Sequence, residues 1–175
     1  MTYYGAKELA ESWRTVRKNT IQVAEDIPED KYSFRAAPDT MTVAEIFSHL
    51  AVTPYWAQQC HFVEKKSTVT RDDFGKWMGD NDKNAATLTS KAAIIEALTK
   101  NGEQFASQME GLSDEQLGEK VTLPMGTKTR FEMLLGVKEH EMHHRAQLMQ
   151  MQRMIGQVPH LTRARQQMQA QAAAR

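Results

Sequence analysis

Residues 140–144 read His-Glu-Met-His-His and place the imidazoles of His140 and His144 four positions apart. On an α-helix that spacing puts both on one face, one turn apart, where they can grip a single metal ion. The same five residues fit H-E-x-x-H, the signature of zinc metalloproteases. The surrounding sequence argues against a protease. No Asp or Glu follows residue 141 to serve as a third ligand, and the extended form of the motif needs Gly and His where Gln147 and Gln150 stand. His160 lies past Gly156 and Pro159, beyond the expected end of the helix. The third imidazole is better sought upstream. His49 shares a helical stripe with Ile46, Thr53, Trp56 and Cys60, so it too faces inward. One histidine from one helix and two from another make a three-histidine set that leaves coordination positions open for water or substrate. The other reading of the spacing is a pair of core histidines hydrogen-bonded to neighbours, although two imidazoles on one seam are costly to bury unpaired. His143 falls on a polar stripe with Glu139, Ala146 and Gln150 and reads as a flank residue.

Four long helical segments must position these groups. In the first, Leu9, Trp13, Val16, Thr20, Val23 and Ile27 recur at spacings of 4,3,4,3,4, a single stripe that ends near Pro28. The second opens on a capping box, Thr42 to Glu45, and carries His49. Pro54 lies inside it and cannot donate to the carbonyl of Leu50, so a kink is expected over residues 49–54. Residues 65–88 are polar and read as a long crossover with at most a short helical turn after Thr70. The third helix starts near Ser90 and runs through Ile94, Leu98, Phe105 and Met109; Gly102 inside it costs about 1 kcal/mol relative to Ala. A short capped turn is expected at Ser113, turn chemistry at residues 124–126, and a second capping box from Thr129 to Glu132. The fourth helix then spans residues 130–155 and stops at Gly156. Its inward seam is Met133, Val137, His140, His144, Leu148, Met151 and Ile155. No strand-like alternation of useful length is visible. The chain reads as all-α, a four-helix bundle over residues 1–160 with a polar, basic tail at 161–175.

Bulk properties narrow the function classes. The 175 residues suit one domain with its own core, and 22 basic against 22 acidic residues give no overall attraction to nucleic acid or anionic membranes. The single cysteine, Cys60, excludes an internal disulfide and reads as a small core residue. The start shows no signal-peptide pattern and no run approaches a membrane span, so a cytoplasmic location is expected. The charge balance is uneven late in the chain: Arg145, Arg153, Arg163, Arg165 and Arg175 follow Glu141 with no acid among them. Of the eleven methionines, Met142, Met149, Met151 and Met154 lie on the fourth helix and read as core or interface fillers.

Three stretches together resemble the DinB-like family of four-helix metalloproteins, related to the YfiT-like thiol transferases and distinct from the translesion polymerase that shares the DinB name. They are DIPEDKYSFRAAPDTMTVAEIFSHLA, LPMGTKTRFEMLLGVKEHEMHHRAQL with its H-x-x-x-H-R-x-Q pattern, and IGQVPHLTRAR. The resemblance implies metal ligands His49, His140 and His144, a nickel or zinc ion, an up-down-down-up bundle and a homodimer. Ala146 departs from it, since glycine often follows the arginine in the family. A metal on three neutral imidazoles can lower the pKa of a bound thiol or water. The first functional expectation is therefore a thiol-dependent S-transferase that uses a low-molecular-weight thiol of the bacillithiol or mycothiol kind. Arg145 would hold the thiol's carboxylates and Trp56 would line the pocket mouth. The alternatives are a metal-dependent hydrolase with Glu141 as general base, and a non-catalytic, stress-related helical dimer with a structural metal. A small-molecule substrate is expected, with no nucleic acid and no membrane.

Overall fold

The computed structural model describes residues 4–174. Helix α1, Ala6–Asp26, buries every member of the stripe from Leu9 to Ile27. Helix α2, Val43–Val52, starts on the expected capping box: the Glu45 amide donates to Thr42 Oγ1 and the Thr42 amide to Glu45 Oε2. Pro54 ends it. The chain breaks at Thr53, resumes as α3, Pro54–Gln58, and loosens into a π-helical turn, Gln59–Val63.

The crossover corrects the sequence reading. It contains a full helix, α4, Arg71–Ala86, capped reciprocally by Thr70 and Asp73. Its buried stripe is sparse, with only Trp77 and Asn81 enclosed. Phe74 packs edge-on against Trp77, whose indole N–H donates to Glu64 at 3.1 Å. Two aromatics and a cap suffice to fix a helix whose other faces are polar.

Helix α5, Lys91–Glu110, is capped by Ser90, and α6, Asp114–Gly118, by Ser113. A two-stranded antiparallel hairpin follows, β1 (Lys120–Leu123) with β2 (Gly126–Thr129), which corrects the expectation of no strand. Helix α7, Arg130–Met154, ends before Gly156, whose φ of +85° suits a residue without a side chain. Helix α8, His160–Ala173, continues the tail and buries no residue.

Side-chain bonds fix the helix directions. Between α1 and α5, Arg14 meets Glu103, Arg17 meets Leu98 and Lys91 meets Glu25, an antiparallel register. Between α2–α3 and α5, Asn101 meets Ala51 and Gln58 meets Gln108, a parallel one. Along α1 and α7, Ser12 meets Lys138 and Val16 meets Arg145, again parallel. The bundle is therefore up-down-down-up in α1, α2, α5 and α7, and α4 carries the chain back along its length.

Two apolar clusters fill the bundle, and a third, of Cys60, Val69, Trp77, Val121 and Met133, joins α4 and the hairpin to it. Of the first two, one gathers Val23, Ile27, Phe47, Leu50, Leu98, Leu148 and Met151; the other gathers Leu9, Trp13, Phe105, Leu134 and Val137. Between these two sets α1 presents Arg17 and Thr20, and α7 presents His140, Glu141 and His144, which form a polar middle layer. No described helix is long and apolar enough to cross a membrane.

Candidate metal centre

Helices α2 and α7 meet in the middle layer and bring three imidazoles together. His49 Nε2 lies 3.1 Å from His140 Nε2. The ring centroids form a near-equilateral triangle, with 4.9 Å from His49 to His140, 5.0 Å from His49 to His144 and 4.6 Å from His140 to His144. One nitrogen of each ring lies within 4.8 Å of the others, and all three side chains are half-buried. Two donors held about 2.1 Å from one ion are roughly 3.0–3.4 Å apart at right-angled to tetrahedral geometry, so the shortest pair already has a coordinating separation.

Electrostatics keep these rings neutral. Burial pushes His140 down to about 4, and the neighbouring His144 and His49 add to the shift. His49 is lowered by burial and by His144, against the opposing pull of the Asp82 carboxylate. His144 is lowered chiefly by burial, while its bond to Gln147 works the other way. A neutral imidazole has a lone pair to give. Gln147 directs one of them: His144 Nδ1 lies 2.8 Å from Gln147 Oε1, so an N–H there leaves Nε2 free for a metal. Thr53 secures the other helix, its hydroxyl donating to the His49 carbonyl at 2.7 Å. His140 Nδ1 is buried without a hydrogen-bond partner. A donor set with converging lone pairs and few competing bonds fits a divalent transition-metal ion.

The remaining candidates fall elsewhere. Glu141 does not join the histidines as a base. It is 1% exposed and faces α1, where Arg17 Nη2 lies 2.7 Å from its Oε2. Burial pushes the Glu141 carboxyl above its usual range and the Arg17 guanidinium below its own, each against the pull of the other. Arg17 also donates to the carbonyls of Leu50 and Leu98 and sits 4.8 Å over the Trp13 ring. Gly102 makes room for it, because a Cβ there would come within 2.7 Å of Arg17 Cγ. That contact accounts for a helix-weakening residue in α5.

Arg145 spans to α1 and donates to the Val16 carbonyl at 3.3 Å. Trp56 packs against Phe74 and His61, away from the three histidines. His143 is exposed and accepts from Gln147, and His160 pairs with Asn19. Cys60 is fully buried, its thiol pushed up to about 11 by burial. Arg17 escaped the sequence reading because a lone arginine beside an apolar stripe looks solvent-facing. Gln147 carried a signal, three residues after a candidate ligand on the same helix.

A family model described as the DinB superfamily matches residues 12–148, a span that includes all three histidines. Among solved structures, the DinB-like protein YjoA of Bacillus subtilis superposes with a TM-score of 0.67 at 22% identity, covering 86% of this chain and 94% of its own. YfiT of Bacillus subtilis, described as a probable metal-dependent hydrolase with an unusual four-helix bundle topology, superposes with a TM-score of 0.68 at 14% identity, covering 90% and 91%. Similarity at these identities bears on the fold. No curated protein matches the chain.

Proposed function

Since the chain belongs to the DinB superfamily, we propose that it is a metal-dependent enzyme in which His49, His140 and His144 hold a nickel or zinc ion. The observation that carries this reading is the convergence of three neutral imidazoles from two helices. A divalent ion held by neutral ligands keeps its charge and lowers the pKa of a thiol or water bound to it.

The first reading is a thiol-dependent S-transferase that joins a low-molecular-weight thiol of the bacillithiol or mycothiol kind to an electrophile. A thiol starts near pKa 8.5 and needs a small push to ionise at neutral pH, whereas water starts near 15.7. That difference matters here because Glu141 is committed to Arg17 and is not placed to take a proton at the histidines. The second reading, a hydrolase, is favoured by the description of YfiT. Gln147 orients His144 and Thr53 steadies His49 in either case. A homodimer belongs to the same reading.

The test is metal content by plasma mass spectrometry on untagged protein, with thiol-dependent turnover measured beside it. About one ion per chain is expected, lost in His49→Ala, His140→Ala and His144→Ala and kept in His143→Ala. No retained ion after reconstitution with nickel or zinc would overturn the metal centre. Turnover in thiol-free buffer would overturn the transferase and leave the hydrolase.

A further inference from the structure

Two grooves flank the histidines and meet at Met41. The first, about 440 Å³, lies between α2 and α4 and has His49 in a mixed wall, where Glu45, Ser48, Asn81 and Asp82 alternate with Ala44, Val52, Ala85, Ala86 and Leu88. Asn81 is 7% exposed and its Oδ1 has no hydrogen-bond partner. The second, about 630 Å³, lies between α7 and the start of α2 and has His144 in its wall. Its remaining surface comes mainly from Ala36, Met41, Ile46, Ala146, Met151 and Met154.

Of the polar groups that border this second groove, all but the exposed Gln150 are engaged within the protein. Gln147 gives its oxygen to His144 and its amide nitrogen to His143. The Thr40 hydroxyl donates to the Ala37 carbonyl and accepts from the Ala37 amide. What the groove offers a ligand is therefore apolar contact, much of it from methionines, which adapt to irregular shapes. The exposed methyl of Ala146 forms part of this wall.

We propose that this groove receives an apolar arm of the enzyme's small-molecule substrate, a short alkyl or aryl group whose polar head lies at His144. The proposal rests on the metal-centre reading above. His144 in the wall sets the occupant: anything seated in the groove is brought up to the three histidines. The α2–α4 groove is the poorer seat for the arm, since the Glu45 and Asp82 carboxylates in its wall would be desolvated without compensation. Ala146 and Met154 are then specificity-determining residues that touch the arm and not the ion.

The probe is a series of straight-chain hydroxamates from acetyl to octanoyl, titrated by calorimetry into the full chain loaded with nickel or zinc. The hydroxamate head binds the ion and the tail reports the groove. Affinity is expected to rise roughly two- to fourfold per methylene until the groove is filled. Ala146→Phe and Met154→Glu should flatten the series while leaving acetohydroxamate affinity and metal content unchanged. Acetohydroxamate binding with no gain along the wild-type series would overturn the groove and leave the metal centre standing. No hydroxamate binding together with no retained metal would overturn both. A chain-length gain that survives both substitutions would overturn the assignment to this groove. So would a change in molecular mass by light scattering with an unaltered series, which would make the groove an interface between copies. Met154 is half-exposed, so its variant decides the matter should Ala146→Phe fail to fold.

Discussion

His140 and Glu141 are neighbours on α7, yet they serve opposite ends. Glu141 turns toward α1 and is enclosed with Arg17, whose guanidinium is further tied to two backbone carbonyls and a tryptophan face. His140 turns toward α2 and is only half-buried, with its Nε2 facing another nitrogen that also has a lone pair to offer. Both groups are strongly perturbed by burial, so perturbation alone does not separate chemistry from architecture. What separates them is where the bonding capacity goes. The ion pair directs it inward, into cross-links among α1, α2 and α5. The histidines leave it converging on one point beside two open grooves.

Removing Glu141 should have the largest effect. Glu141→Ala leaves the Arg17 charge buried without its partner and should cost about 3–5 kcal/mol in urea unfolding, with metal bound per folded chain unchanged. Arg17→Met combined with Glu141→Leu should recover most of that loss. Wild-type stability with abolished turnover would reverse the contrast and make Glu141 a chemical group.

The comparison sharpens at His61, a buried histidine outside the centre, with Arg130 Nη1 at 3.2 Å from its Nδ1. Burial and that guanidinium hold it down to about 4 from an ordinary 6.5. Between those values the unfolded chain binds the extra proton, so stability rises with pH. The contribution is whole above pH 6.5 and is lost as pH falls toward 4, on the order of 2–3 kcal/mol. His61→Gln should make that acid limb shallower, leaving the part owed to His140 and its neighbours, when unfolding free energy is followed from pH 7 to 4; an unchanged slope would remove His61 as a source. The smallest effect belongs to Gln147→Ala. Chelator competition should show metal affinity roughly tenfold weaker, with the unfolding midpoint of the metal-free protein unmoved. An unaltered affinity would free His144 from any dependence on its second nitrogen.

The histidine set was legible because its signal is periodic: His140 and His144 share a seam with Leu148 and Met151, and His49 shares one with Ile46. The ends of α2 and α7 were legible for a similar reason, since Thr42, Thr129 and Gly156 act through their own local backbone. Helix α4 was not. Its apolar content reduces to Phe74 and Trp77 amid charges, and its cap, Thr70 with Asp73, lacks the Glu or Gln that makes the box conspicuous. The β1–β2 hairpin escaped notice because four-residue strands give alternation too little room. The ion pair and the grooves escaped for a deeper reason. Arg17, Gly102 and Glu141 acquire meaning only from one another across three helices, and Met41 enters the site through the path of a loop.

The parallel course of α2 and α5 also carries a consequence for the order of assembly. His49 and His140 are 91 residues apart, joined only after the chain has traversed α4 and α5. At roughly 5–20 residues per second of synthesis, one ligand waits about 5–18 s for the other. The pair on α7 is presented as soon as that helix forms, while the third donor arrives only when the distant α2 docks. A two-imidazole grip thus reports one finished helix, and a three-imidazole grip reports a finished topology. For an ion that needs all three donors, the site is a latch that closes on a completed chain path and on no partial one.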